Sequence, residues 1–209
     1  MFWNNVSFIY DAFENAYNKK ANNRAVEIVC SNIQKDDDVL ECACGTGIFT
    51  VGIAPHCRSI TATDYAPKML TRASDKCKKA GYTNCTFEIA DITSLKYEDN
   101  SFDKVVAANV IHILDNPSAA LKEFERIIRP GGMIIIPTYI NMSKTTASFL
   151  VNVWNRWGAN FKRQFDTETY KKFFEELGYN DVEFATAEGH MPCCVAIIKT
   201  AADDCGCNP

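Results

Sequence analysis

An excess of basic residues is the first thing this chain lacks: 22 Lys and Arg stand against 26 Asp and Glu, for a net charge of -4. Binding to nucleic-acid phosphates usually runs on clustered Lys and Arg, so a nucleic-acid substrate is disfavoured. No apolar run reaches membrane-spanning length, and Met1-Phe2-Trp3-Asn4-Asn5 lacks the basic start and apolar stretch of a secretory signal. A cytoplasmic protein without a membrane span is expected. Zinc-type spacing is absent as well: Cys42 and Cys44, Cys193 and Cys194, and Cys205-Gly206-Cys207 follow no metal-ligand pattern. No metal site is therefore predicted. Most of the ten cysteines sit in apolar stretches and read as reduced core thiols, which explains them more simply than a thiol- or arsenic-handling role. Repeats and linkers are also missing. At 209 residues the default is one domain over residues 1–200, with a flexible tail at 201–209.

What the chain does have is alternation. Residues 4–33 read as two cap helices separated by the polar stretch Asn18 to Asn23, and after Asp36-Asp37-Asp38 the run Val39 to Cys44 reads as a buried strand entering a tight turn at Gly45. A helix over 48–55, a strand over 59–63 and a helix from Pro67 to Ala80 follow. Further strands are predicted at 85–90, 102–107 and 133–137, with a helix over 117–128 between the last two. Strands alternating with helices predict an α/β fold with a mostly parallel sheet. Asp166 should cap a helix that ends at Gly178. Strands at 182–187 and 193–199 are joined so briefly, by Glu188 to Pro192, that at least one must run antiparallel to the rest. The amphipathic stretch 143–165, carrying Phe149, Val153, Trp154 and Trp157, is a candidate substrate lid.

The chemistry gathers where strands end. Glycines at 45 and 47 would let a ligand lie against the backbone, and Glu41 is a carboxylate in an otherwise apolar strand, costly unless a cation or hydrogen-bond donors satisfy it. Asp64 ends the second strand about twenty residues past the glycine turn, where an acid can accept hydrogen bonds from both ribose hydroxyls. Asp91 follows the third strand, where it could meet an adenine amino group while Ile92 packs on the ring. Each acid alone is more often a cap or a solvated loop residue. Three at three successive strand ends point to a nucleoside ligand with a cationic portion.

On these residues the chain resembles class I S-adenosylmethionine-dependent methyltransferases of the small-molecule type. The family's glycine motif matches Glu41 to Gly47, its ribose acid Asp64, its adenine-side acid Asp91, and its segment after the fourth strand Ala107-Ala108-Asn109-Val110-Ile111-His112. Ile128-Arg129-Pro130-Gly131-Gly132 is similar to a further landmark of structural role. The resemblance implies a doubly wound, seven-stranded, Rossmann-like sheet with an antiparallel last strand, and S-adenosyl-L-methionine as cofactor. It implies cofactor contacts from Glu41, Ala43, Cys44, Gly45, Gly47, Asp64, Tyr65, Met69, Asp91, Ile92 and Asn109, with Tyr10 of the N-terminal helix able to close over them. The partner would be a small-molecule methyl acceptor. Ala43 departs from the family's usual glycine, and a slightly shifted backbone is expected there.

Three roles compete for the same residues. Gly45-Thr46-Gly47 with Asp64 partly matches a dinucleotide fingerprint, but Thr50 takes the place of its third glycine, and Glu41 and Asp91 would have no task in a nicotinamide enzyme. A non-catalytic S-adenosylmethionine-binding protein would show the same motifs, because methyl transfer needs alignment more than any obligatory catalytic residue. His112, placed after the fourth strand, is a candidate general base, although packing against a neighbouring helix explains it as well. Tyr17, like Tyr10, could orient an acceptor, or could simply be core.

Overall fold

The computed structural model describes residues 17–140 and 162–202. Strand β1 (Asp38–Cys42) has four of its five residues buried, the mark of a strand covered on both faces. It pairs in parallel with β2 (Ser59–Asp64) on one side and β4 (Phe102–Ala107) on the other. With β3 (Cys85–Ile89), β5 (Ile128–Tyr139), β6 (Val182–Ala187) and β7 (Cys193–Lys199), these strands form one seven-stranded sheet in the order β3-β2-β1-β4-β5-β7-β6. β7 runs antiparallel to both β5 and β6, as the short 188–192 connection requires.

Helices α1 (Lys19–Cys30), α2 (Ile48–Ile53), α3 (Pro67–Lys79), α4 (Pro117–Ile127) and α5 (Thr167–Glu176) cover the sheet. Neighbouring residues of one strand point to opposite faces, so the central strands feed two cores. Val105 and Ile134 pack with Leu121, Phe124, Tyr170 and Phe174 on one side. Val106 and Ile135 pack with Val29, Phe49 and Ile53 on the other. Local chemistry starts the helices where the sequence predicts. Pro67 and Pro117 occupy first-turn positions, where a missing N–H costs nothing. Asp166 closes a capping box with Thr169.

Two elements differ from the sequence reading. α1 already begins at Lys19, so most of the polar stretch read as a break between the two helices is helical, while the predicted first helix, with Tyr10, lies outside the described residues. β5 is much longer than 133–137. Its far end pairs with β7 down to Tyr139 and Cys193, and its near end reaches Phe102 through Ile128, with a register shift where Arg129–Gly132 bulges. Glycine permits that bulge: a Cβ on Gly132 would come within 2.7 Å of the Asp103 carbonyl oxygen. The stretch 143–165 falls outside the described residues except for its end, where the amides of Lys162 and Arg163 both donate to the His112 carbonyl at 3.1 Å. The tail beyond Ala202 is likewise outside them. Among the described residues no helix is long and apolar enough to cross a membrane, Cys30, Cys42, Cys44, Cys57, Cys77, Cys85, Cys193 and Cys194 are free thiols, and no cluster of side chains could hold a metal ion.

Candidate active site

Parallel strands bring their carboxyl ends to one edge, and the order β3-β2-β1-β4 sets Asp91, Asp64, Glu41 and Asn109 side by side along it. From β1 the chain turns into α2 through three left-handed residues, Ala43 (φ 54), Gly45 (φ 54) and Gly47 (φ 85). The two glycines do different jobs. A Cβ on Gly47 would lie 2.8 Å from the Ala73 Cβ of α3, so this glycine lets α3 pack on the turn. A Cβ on Gly45 would meet nothing within 4 Å, and Gly45 lines the cavity, so its bareness serves the turn and an approaching ligand. Ala43 is itself left-handed, at a cost of roughly 1–2 kcal/mol for an L-residue.

Asp64 binds the turn together. One carboxylate oxygen accepts from the Gly45 amide at 2.9 Å and the other from the Ala66 amide at 2.8 Å. A carboxylate has about four acceptor positions, so acceptor capacity remains for a further donor. Burial raises this carboxyl from its ordinary value, opposed by the amides of Ala66, Gly45 and Tyr65. Asp91 is exposed; its Oδ1 accepts from the Thr93 amide at 2.9 Å and the Thr93 hydroxyl at 2.7 Å, and those bonds hold its carboxyl below the usual range.

Glu41 is buried beneath the turn and does not line the cavity, and its Oε2 accepts from the Thr50 hydroxyl at 2.6 Å. Burial pushes this carboxyl up to about 8; the Thr50 hydrogen bond opposes the shift and the charge of Asp64 adds to it. Glu41 thus sits behind the glycine turn, without contact to the cavity. Thr50, which breaks the dinucleotide pattern in the sequence, is here the hydroxyl that satisfies this acid.

The cavity in front of the turn has a volume of about 380 Å³, within the range of small-molecule sites. Ala43, Gly45, Asp64, Tyr65, Met69, Asp91, Ile92 and Asn109 line it, eight of the residues read from the sequence. Cys44 does not; it is buried, and burial holds its thiol well above the ordinary value. Sequence reasoning passed over Thr63, Ala90 and Ala108, and also Val110, Ile113 and Leu114, which give the cavity an apolar wall after β4. Of that wall only Val110 lies in the matched segment ending at His112, and no periodicity marks which apolar residues of a loop face a cavity. His112 itself does not line the cavity. It is buried, its backbone carbonyl ties down residues 162 and 163, and burial lowers its imidazole to about 4. Tyr17 stacks on His190 of the β6–β7 connection, with ring centroids 5.4 Å apart, and takes no part in lining the cavity.

Comparison with known proteins agrees with this geometry. Residues 40–136 match a family model described as a methyltransferase domain. A ubiquinone/menaquinone biosynthesis C-methyltransferase of Bdellovibrio bacteriovorus is 36% identical over 132 residues, 60% of this chain and 54% of the relative, so the chain spans about half of that relative's length. A demethylmenaquinone methyltransferase of Staphylococcus epidermidis is 26% identical over 202 residues, covering 85% of this chain and 83% of its own. In fold, the chain is similar to a solved S-adenosylmethionine-dependent methyltransferase of Thermotoga maritima, titled a possible histamine N-methyltransferase. The TM-score is 0.74 at 18% identity, covering 95% of this chain and 98% of that one.

Proposed function

We infer that this chain, which matches a methyltransferase-domain model over residues 40–136, is a class I S-adenosylmethionine-dependent methyltransferase that methylates a ring carbon of a small quinol-type acceptor. One observation carries the reading: two carboxylates on adjacent strand ends, Asp64 and Asp91, share a cavity whose opposite wall is Val110, Ile113 and Leu114. Polar anchors at one end and an apolar wall at the other suit a nucleoside cofactor beside an apolar acceptor.

When bound, S-adenosylmethionine supplies a methyl group on a sulfonium, electrophilic without further activation. The protein's residues then have three tasks. Asp64 accepts from the ribose hydroxyls, and Asp91 with Ile92 holds the adenine. Glu41 opposes the cofactor's positive charge from beneath the turn, in a medium where such an interaction is stronger than in water. The apolar wall sets the acceptor in line with the methyl carbon, and such alignment is most of what methyl transfer needs; the one proton the acceptor loses overall would pass to bulk water, with no base assigned to the protein. A quinol-type acceptor is supported by two relatives, one named as a ubiquinone/menaquinone biosynthesis C-methyltransferase and the other as a demethylmenaquinone methyltransferase. A cytoplasmic site of action and a single domain over residues 1–200 belong to the same proposal. A base at His112 does not fit it, since a buried imidazole held near 4 is a weak base and stands outside the cavity lining.

The test is transfer of an isotopically labelled methyl group from S-adenosylmethionine to a short-chain prenylated 1,4-naphthoquinol lacking the ring methyl. Labelled product is expected. Tight binding of S-adenosylhomocysteine with no transfer to any quinol would overturn the acceptor class, and no binding would overturn the cofactor site.

A further inference from the structure

Asn109 sits just past the carboxyl end of β4, the second residue of the loop that carries the apolar wall, with a left-handed φ of 51. Two hydrogen bonds fasten it to the end of β5. Its amide donates to the Pro137 carbonyl at 2.8 Å, and its side-chain oxygen accepts from the Tyr139 amide at 3.0 Å. The second bond decides which way the carboxamide faces, because an N–H can donate only to the oxygen. The oxygen is thus committed to the protein, and what the side chain can offer the cavity it lines is its NH₂ group. The other polar side chains in that lining are the carboxylates of Asp64 and Asp91, which only accept, Thr63, whose hydroxyl donates to the Glu41 carbonyl at 3.1 Å, and Tyr65 at the exposed rim. Among the described lining residues, Asn109 through its NH₂ and Tyr65 through a hydroxyl at the exposed rim are therefore the side chains left to donate.

Position along the edge says which part of a ligand meets it. Asp91 and Asp64, on β3 and β2, take the nucleoside end; β1 supplies the turn; β4, one strand further on, is where a molecule lying beyond the cofactor's sulfur would rest. Resting on the reading of a quinol-type acceptor, we propose that the Asn109 NH₂ donates to a ring oxygen of that acceptor. Asn109 is thus a specificity-determining and positioning residue, and not the cofactor contact that family resemblance implies. A donor here favours an acceptor whose oxygen carries negative charge. It also turns the carbon beside that oxygen toward the methyl group, while the two carboxylates disfavour an anion anywhere else in the cavity.

Asn109→Asp isolates this role. Aspartate tolerates the left-handed backbone and keeps an oxygen for the Tyr139 amide, but it presents a carboxylate where the donor stood. With the prenylated naphthoquinol, KM should rise roughly ten- to hundredfold, with S-adenosylhomocysteine affinity within about twofold of the original and an unchanged melting temperature. Asn109→Ala should instead lower the melting temperature, since alanine loses the β5 tie and resists the left-handed conformation. Binding of 1-naphthol against naphthalene to the S-adenosylhomocysteine-loaded protein gives a second reading free of turnover. The parent should prefer the naphthol about tenfold, and Asn109→Asp should lose that preference. An unchanged KM and an unchanged naphthol preference in Asn109→Asp would overturn the assignment, as would a fall in cofactor affinity with the acceptor unaffected. If the parent protein fails to methylate the quinol but Asn109→Asp still abolishes the naphthol preference, the quinol reading falls and the donor role stands.

Discussion

Replacing Glu41 with Gln should make the empty protein more stable at neutral pH, by an amount that depends on pH in a defined way. The carboxyl is buried beneath the glycine turn, with the Thr50 hydroxyl at 2.6 Å, and burial holds it at about 8 against 4.5 in an open chain. A folded-state value above the unfolded one means that the folded protein binds the proton more tightly. The contribution is fully present below about pH 4.5 and is lost as pH climbs through about 8. Each pH unit inside that window corresponds to about 1.4 kcal/mol, so roughly 2–3 kcal/mol of the parent's stability disappears between pH 5 and pH 7. Glutamine keeps the size and an acceptor for Thr50 but cannot ionise, and it escapes that loss. Urea unfolding at half-unit steps from pH 5 to pH 7 should show the variant gaining on the parent by that amount, while other groups titrate in both proteins and largely cancel. The ligand-bound protein should behave oppositely. A cationic cofactor favours the ionised acid, so the parent should release a proton on binding S-adenosylmethionine near neutral pH, seen as a binding heat that varies with buffer ionisation enthalpy, and Glu41→Gln should release less and bind more weakly. Parallel stability profiles for the two proteins would refute the reasoning outright.

Asp64→Asn puts an NH₂ against one of the two backbone amides that the carboxylate now accepts, so unfolding free energy should fall by roughly 1–3 kcal/mol and S-adenosylhomocysteine affinity by roughly 1.5–3 kcal/mol, read by urea titration and calorimetry. Gly45→Ala and Gly47→Ala should separate binding from packing. The first should fold with a loss of about 1–2 kcal/mol from its backbone and bind cofactor poorly, whereas the second also drives a Cβ into Ala73 and should be the less stable of the two. His112→Gln should soften the acid sensitivity of the fold. An imidazole depressed from 6.5 to about 4 supports the folded state above pH 6.5 and loses that support as pH falls toward 4; acid unfolding monitored by circular dichroism tests this. The methyl-transfer rate should show no step near pH 6.5 that disappears in the same variant.

Much of this protein was legible before its fold was known, because the signals are local. Apolar runs bounded by Gly45 and Asp64, prolines at helix starts and Asp166 before α5 each act within a few residues, so one chain suffices to read them. Acids at three strand ends located the site edge, and the five-residue connection at 188–192 required the antiparallel partner. What only tertiary structure decided depends on neighbours far apart in the chain. Thr50 satisfies Glu41, Tyr139 takes the oxygen of Asn109, and Ala73 explains Gly47; none of these pairings follows from spacing, because each arises where separate elements pack. Nor does spacing reveal the environment of an ionisable group. Glu41 and His112 are ordinary titrating residues in the sequence, and only the burial created by the doubly covered sheet raises one toward 8 and lowers the other toward 4, since removing water penalises whichever form carries charge.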